Sequence, residues 1–269
     1  MNHPFTRGRL LALAFALGAA ALAIPALGAS APTDIGSLDQ QALAALPSFQ
    51  AANQQLNQYG INLRKQYIAR AAHASQAEQQ RLGQEFQSKM ADKQRQLFGP
   101  LFRKAQIAIA SVASSKNLSV VVDKRIVIVG GQDITSNVRD LLTGIGDPVP
   151  PVSTPPPSKV GYVDQAAIDA TPKVKAATDE FLKFKQSEDQ SAAAKLKSAK
   201  SNADRDAVLR DYRKTLDDKQ NTTLKPVVDA TRDAISQVAK QKGLILVVDK
   251  GNIIFGGTDI TSDVTAKLK

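Results

Sequence analysis

Four aspartates stand at matching places in the two halves of the sequence, Asp39 with Asp164 and Asp123 with Asp249. Repeated carboxylates are the residues through which this chain would perform acid–base chemistry. Each sits at the end of an apolar, strand-like run, however, where capping and turn roles account for a carboxylate without any reaction. Cysteine is absent, which excludes disulfides, thiolate nucleophiles, iron–sulfur ligation and Cys-type zinc sites. The histidines are His3 and His73, too few for a multi-His metal centre or an imidazole relay. The chain is therefore expected to be no enzyme and to carry no catalytic residue, cofactor or metal.

The remaining chemistry is electrostatic. With 35 basic against 25 acidic residues the formal net charge is +10, a field that attracts acidic partners such as anionic lipid, polyanionic saccharide, nucleic acid or acidic polypeptide. Arg7 and Arg9 precede an apolar run over 10–27 that is broken by Gly18 and Pro25 and followed by small residues. That is the layout of a secretory signal peptide, residues 1–28, cleaved near 28–31. Losing the two arginines leaves the chain basic. Export makes nucleic acid the weakest of these partners, and no cysteine follows the leader to carry a lipid.

The elements that position these charges come in duplicate. LSVVVDK at 118–124 recurs as LILVVDK at 244–250, and GGQDITSNV at 130–138 as GGTDITSDV at 256–264, both displaced by 126 positions. IGSLDQ at 35–40 recurs as VGYVDQ at 160–165, displaced by 125. Two modules follow, 34–143 and 159–269. Between them, 144–158 contains six prolines and reads as a semi-rigid, extended spacer.

Each module is expected to run strand, short helix, long helical hairpin, β-hairpin and closing helix. Phe49, Ala52, Leu56, Tyr59 and Leu63 step by three and four after Pro47, and Val174, Ala177, Phe181 and Phe184 match them after Pro172. This is a coiled-coil seam. Continued outward it meets Gln66, Arg70 and His73 in one copy and Glu188, Ser191 and Lys195 in the other, so the outer ends are expected to be mobile. Pro100 and Pro226 fall inside the return limbs as helix breaks or hinges. The runs 118–122 and 126–129, and their second copies, read as β-hairpins, with Thr135 and Thr261 capping the helix that follows. The Gly pairs at 130–131 and 256–257 lack the Gly-Lys-Ser/Thr pattern of a phosphate loop and are assigned to turns.

Three short strands and a brief helix bury too little to stand alone, so several copies are expected to pool them. The expected fold class is α+β, mostly α: two tandem modules, each a long antiparallel helical hairpin on a small β body that oligomerises. Leu118, Val120, Val122, Ile126, Ile128, Leu244, Leu246, Val248, Ile253 and Phe255 are the candidates for that shared β core.

The leader, the I-G-x-[LV]-D-Q start, the long hairpin, the VVD strand, the Gly pair and the D-I-T-S-[ND]-V ending together resemble the Skp (OmpH-type) family of periplasmic chaperones. The resemblance covers almost the whole mature chain, twice, where family members usually carry one module. It implies an ATP-independent holdase that keeps unfolded outer-membrane β-barrel proteins from aggregating between basic arms. It also implies a homo-oligomer, and six modules would fit a trimer. On that reading the client-facing candidates are Arg64, Lys65, Arg70, Arg81, Lys89, Lys183, Lys185, Lys195, Lys197 and Lys200, with a plain solvated face as the alternative for Lys183, Lys185, Lys195, Lys197 and Lys200. The competing reading is an exported structural spacer that binds lipopolysaccharide or cell wall.

Overall fold

A computed structural model describes residues 34–72, 74–151 and 154–268; the expected leader and His73 lie outside them. The chain is mostly helical with two small sheets. In order it forms β1 (Ile35–Leu38), α1 (Gln40–Ala44), α2 (Pro47–Ala71), α3 (Gln76–Ser115), β2 (Val120–Asp123), β3 (Gln132–Asp133) and α4 (Thr135–Thr143). The second copy gives β4 (Val160–Val163), α5 (Gln165–Asp169), α6 (Pro172–Ser198), α7 (Asn202–Thr223), α8 (Lys225–Gln241), β5 (Leu246–Asp249), β6 (Ile253–Gly256), β7 (Thr258–Asp259) and α9 (Thr261–Lys267).

These elements form two compact units. One comprises the first repeat together with Asn252–Gly256; the other comprises Ser158–Gly251 and the residues from Gly257 onward. In the first, the sheet runs β3-β1-β2-β6, with β1 parallel to β2 and β3, and β6 antiparallel to β2. In the second, the sheet is β5-β4-β7, all parallel. Parallel neighbours need a long crossover, and here the helix pair supplies it.

The expected β-hairpins do not form. Residues 124–126 make a 3-10 turn and 127–129 pair with no strand among the described residues, with Ile128 100% and Val129 91% exposed. Their second copies do form a strand, β6, but it pairs with β2 and not with the preceding β5. The pairing runs Val120 to Gly256, Val121 to Phe255 and Val122 to Ile253, so Ile254 is the extra residue of a bulge. Gly256 has a left-handed φ of +68°, and a Cβ there would come within 2.2 Å of the Ser119 carbonyl oxygen. Only glycine permits this approach.

Apolar burial concentrates where strands meet helix ends. Leu38, Ala108, Val112, Leu118, Val121, Ile134 and Val138 form the first core, with Ile254 and Phe255 packed against it. Val163, Ile168, Ile235, Val238, Leu244, Ile260 and Val264 form the second. Each fully buried Val, Leu or Ile contributes about 1.5–3 kcal/mol.

The two prolines act differently. Pro100 lies inside an unbroken α3, whereas Leu224 ends α7 and Pro226 sits in the first turn of α8, the position where proline's missing N–H costs nothing.

Candidate functional site

The repeated aspartates are structural. The Asp39 carboxylate accepts from the N–H groups of Gln41 and Ala42 at 2.9 and 3.1 Å, and Asp164 from Ala166 at 3.1 Å, each capping a short helix. Asp123 accepts from the Arg125 N–H at 2.8 Å and from its guanidinium at 2.7 Å; Asp249 accepts from the Gly251 N–H at 2.7 Å. The D-I-T motif is likewise a fold device. Asp133 and Asp259, not the threonines, receive the N–H groups of Thr135 and Thr261, both at 2.9 Å. The isoleucines between them are fully buried. The threonine hydroxyls face the other way in sequence, accepting the N–H groups of Asp39 and Asp164. Among the described residues no group of three or more His, Asp or Glu side chains is placed to hold a metal ion.

The candidate cations lie on the helix pairs. α2 and α3 run antiparallel, with Phe49 against Phe98 towards one end and Tyr67 against Phe86 towards the other. The outer seam of this pair is packed, contrary to the expectation from Gln66 and Arg70. Leu63, Tyr67 and Leu82 are buried together, with Tyr59, Ala71, Ala74, Phe86 and Met90 against them. The stripe advances by fours, 63, 67 and 71, where the sequence reading continued it through 66, 70 and 73.

That shift places Arg70 and Lys89 around Glu85. Lys89 approaches its carboxylate to 2.9 Å and Arg70 to 3.6 Å, and both cations lie over the Tyr67 ring at 5.8 and 5.3 Å. The Tyr67 hydroxyl and the Lys89 ammonium beside Glu85 hold its carboxyl down to about 2. Arg81 pairs with Glu78 at 2.9 Å. An open groove of about 700 Å³ is lined by Tyr59, Asn62, Leu63, Gln66, Lys89, Asp92, Lys93 and Gln96.

Arg64 and Lys65 differ from these: both are exposed, and neither has an acidic partner among the described residues. They are flanked on the same face by Ile61 and Ile68, 50% and 64% exposed, at the i, i+3, i+4, i+7 spacing of one helix stripe. The sequence reading missed these two isoleucines. The signal was present, an apolar pair seven apart on the side of α2 away from the seam.

In the second copy Lys183, Lys195, Lys197 and Lys200 are exposed without acidic partners among the described residues. Lys185 is not free: it reaches Asp189 at 2.7 Å, and Asp189 also accepts from the Tyr212 hydroxyl. Lys219 lies over the Phe184 ring at 5.5 Å.

The β-core candidates divide. Leu118, Val120, Val122 and Leu244 are buried by the chain's own elements, while Leu246, Val248, Ile253 and Phe255 are half-buried. Ile126 and Ile128 are not in a strand at all.

A family model described as "Outer membrane protein (OmpH-like)" matches residues 38–142 and again 159–268. No curated protein and no solved structure matches the chain. Among the described residues no helix is long and apolar enough to cross a membrane.

Proposed function

The chain belongs to the OmpH-like family, and from that premise we propose that it is a periplasmic holdase chaperone for unfolded outer-membrane β-barrel proteins. What supports the reading is the exposed stripe Ile61, Arg64, Lys65 and Ile68 on α2, with the exposed Lys183, Lys195 and Lys197 on α6. The cations draw in acidic unfolded clients from a distance, and the isoleucines add short-range apolar contact that tolerates any client sequence. No single contact has to be strong, because many weak ones act together. Release follows mass action: a client that folds into the membrane leaves the unfolded pool and the surface empties. Copies are joined through their β bodies, and the leader directs export.

Light scattering of a urea-denatured outer-membrane barrel protein, diluted into buffer with an equimolar amount of this chain, tests the proposal. Suppressed aggregation that weakens with added salt is expected. Unchanged aggregation, accompanied by stable binding to lipopolysaccharide, would replace it with the envelope-spacer reading.

A further inference from the structure

The two helix pairs are copies in sequence, yet they do not present the same surface. Ile61, Arg64, Lys65 and Ile68 on α2 are all exposed; at the matching places, displaced by 125 positions, α6 carries Gln186, Asp189, Gln190 and Ala193, exposed as well. Both isoleucines and both cations are missing from the second copy, and a carboxylate stands where Arg64 stands in the first. That carboxylate is engaged within its own helix pair, by the Lys185 ammonium at 2.7 Å and the Tyr212 hydroxyl. Charge follows the same division. Residues 47–115 contain nine basic and three acidic residues, whereas 172–241 contain fifteen and eleven, and there Lys175, Lys214 and Lys219 are paired with Asp179, Asp218 and Glu180. Large apolar side chains follow it too. Phe102 on α3 is 53% exposed, and its counterpart in the second copy is the half-buried Val228 on α8.

We propose that the first helix pair alone grips the client, through the stripe on α2, and that the second adds long-range attraction without holding. The segment gripped is an extended one in which two apolar side chains flank acidic ones. Ile61 and Ile68 lie about 10 Å apart along the helix axis, a distance that about three residues of extended chain span. Carboxylates between the two apolar contacts then meet Arg64 and Lys65, neither of which has an acidic partner among the described residues. The second pair fails such a segment twice. Gln186 and Ala193 offer little apolar area to cover, and the eleven carboxylates repel the acidic residues that draw the segment in. The exposed Lys183, Lys195 and Lys197 still contribute to the field that steers it. This rests on the holdase reading and narrows it to one copy.

The cysteine-free chain allows a matched test. Ala69 and Ala194 occupy corresponding places on α2 and α6, both exposed and both outside the four compared positions. Ala69→Cys and Ala194→Cys are made in separate chains, each labelled with a benzophenone photocrosslinker, and mixed with a urea-denatured outer-membrane barrel protein diluted into buffer. Crosslinking to the barrel is expected to be severalfold stronger from position 69 than from 194. Equal yields, or a stronger yield from 194, would overturn the proposal. A second measurement exchanges the surfaces. Ile61→Gln, Arg64→Asp, Lys65→Gln and Ile68→Ala give the first copy the residues of the second, and Gln186→Ile, Asp189→Arg, Gln190→Lys and Ala193→Ile are then added to that chain. The first set is expected to speed client dissociation severalfold and the added set to slow it again. Dissociation unchanged by the first set, or still as fast after the added one, would count against it equally. Light scattering is followed in the same mixtures. Protection by the unaltered chain with equal crosslinking from both positions removes the proposal and leaves the holdase reading standing, whereas absence of protection removes both.

Discussion

The backbone N–H of Asp39 donates to the hydroxyl of Thr135 at 3.0 Å across 96 residues of sequence, and Asp164 makes the same bond to Thr261 at 2.9 Å. Each bond ties the end of the first strand of a repeat to its closing helix. Thr135→Val keeps the shape of the side chain and leaves the Asp39 donor without its acceptor. A loss of about 1–3 kcal/mol is expected, read as a lower urea midpoint. Thr135→Ser, which keeps the hydroxyl, should recover most of it.

Acid should act on the same corner. Burial works against charge on Asp133, but hydrogen bonds from Lys124 and Thr135 outweigh it and hold the carboxyl at about 2. The unfolded chain, with an aspartate near 3.8, therefore takes up the proton first as pH falls. The stability this supplies is complete above about pH 4 and is lost as pH falls towards 2. Melting curves should show Asp133→Asn less stable than the unaltered chain at pH 7 and equal to it near pH 2. A gap that persists near pH 2 would assign the effect to shape and not charge.

Two glycines should respond in opposite directions to alanine. Gly83 lies exposed inside α3 with nothing within 4 Å of a built Cβ, so Gly83→Ala is expected to stabilise by about 0.5–1 kcal/mol. Gly256→Ala must bear both a left-handed φ and a 2.2 Å approach to a backbone oxygen. It is expected to lower the unfolding midpoint and to increase amide exchange in β2.

On α2, capture and grip should separate. Arg64→Glu with Lys65→Glu is expected to slow association with a denatured barrel severalfold and to flatten its salt dependence. Ile61→Ser with Ile68→Ser is expected to leave association nearly unchanged and to speed dissociation. Stopped-flow fluorescence of a labelled client resolves both rates. Neither pair should alter the melting temperature appreciably, because all four side chains are exposed.

The helix pairs should also differ in dynamics. α7 has no buried residue and meets α6 through contacts such as Lys219 with Glu180 and Tyr212 with Asp189, exposed pairs worth about 0–1 kcal/mol each. α3 buries Leu82 and Phe98 along the corresponding limb. Hydrogen exchange is therefore expected to be faster in α7 than in residues 76–98 of α3.

These contrasts mark where the sequence was legible. Pro47 and Pro172 start α2 and α6 as read, and the seam through Phe49, Ala52 and Leu63 is buried. Beyond Leu63 a step of three reaches Gln66 and a step of four reaches Tyr67; both are regular on a helix, and only contact with Leu82 and Phe86 on the return limb decides between them. The strands failed for a related reason. β-branched residues over 126–129 and 252–255 declare an extended preference without naming a partner, and the nearest strand in sequence was not the one β6 found. Thr135 and Thr261 look like caps because threonine caps helices often; the aspartates two places earlier reach the same N–H groups first.

The position of β6 has a temporal cost. A polypeptide emerges from its amino end, so the leading half of this one is complete in sequence long before residue 256 appears. Until then β2 waits with a bare flank, 136 residues ahead of the segment that will cover it, and vectorial emergence delays closure of the half that is made first.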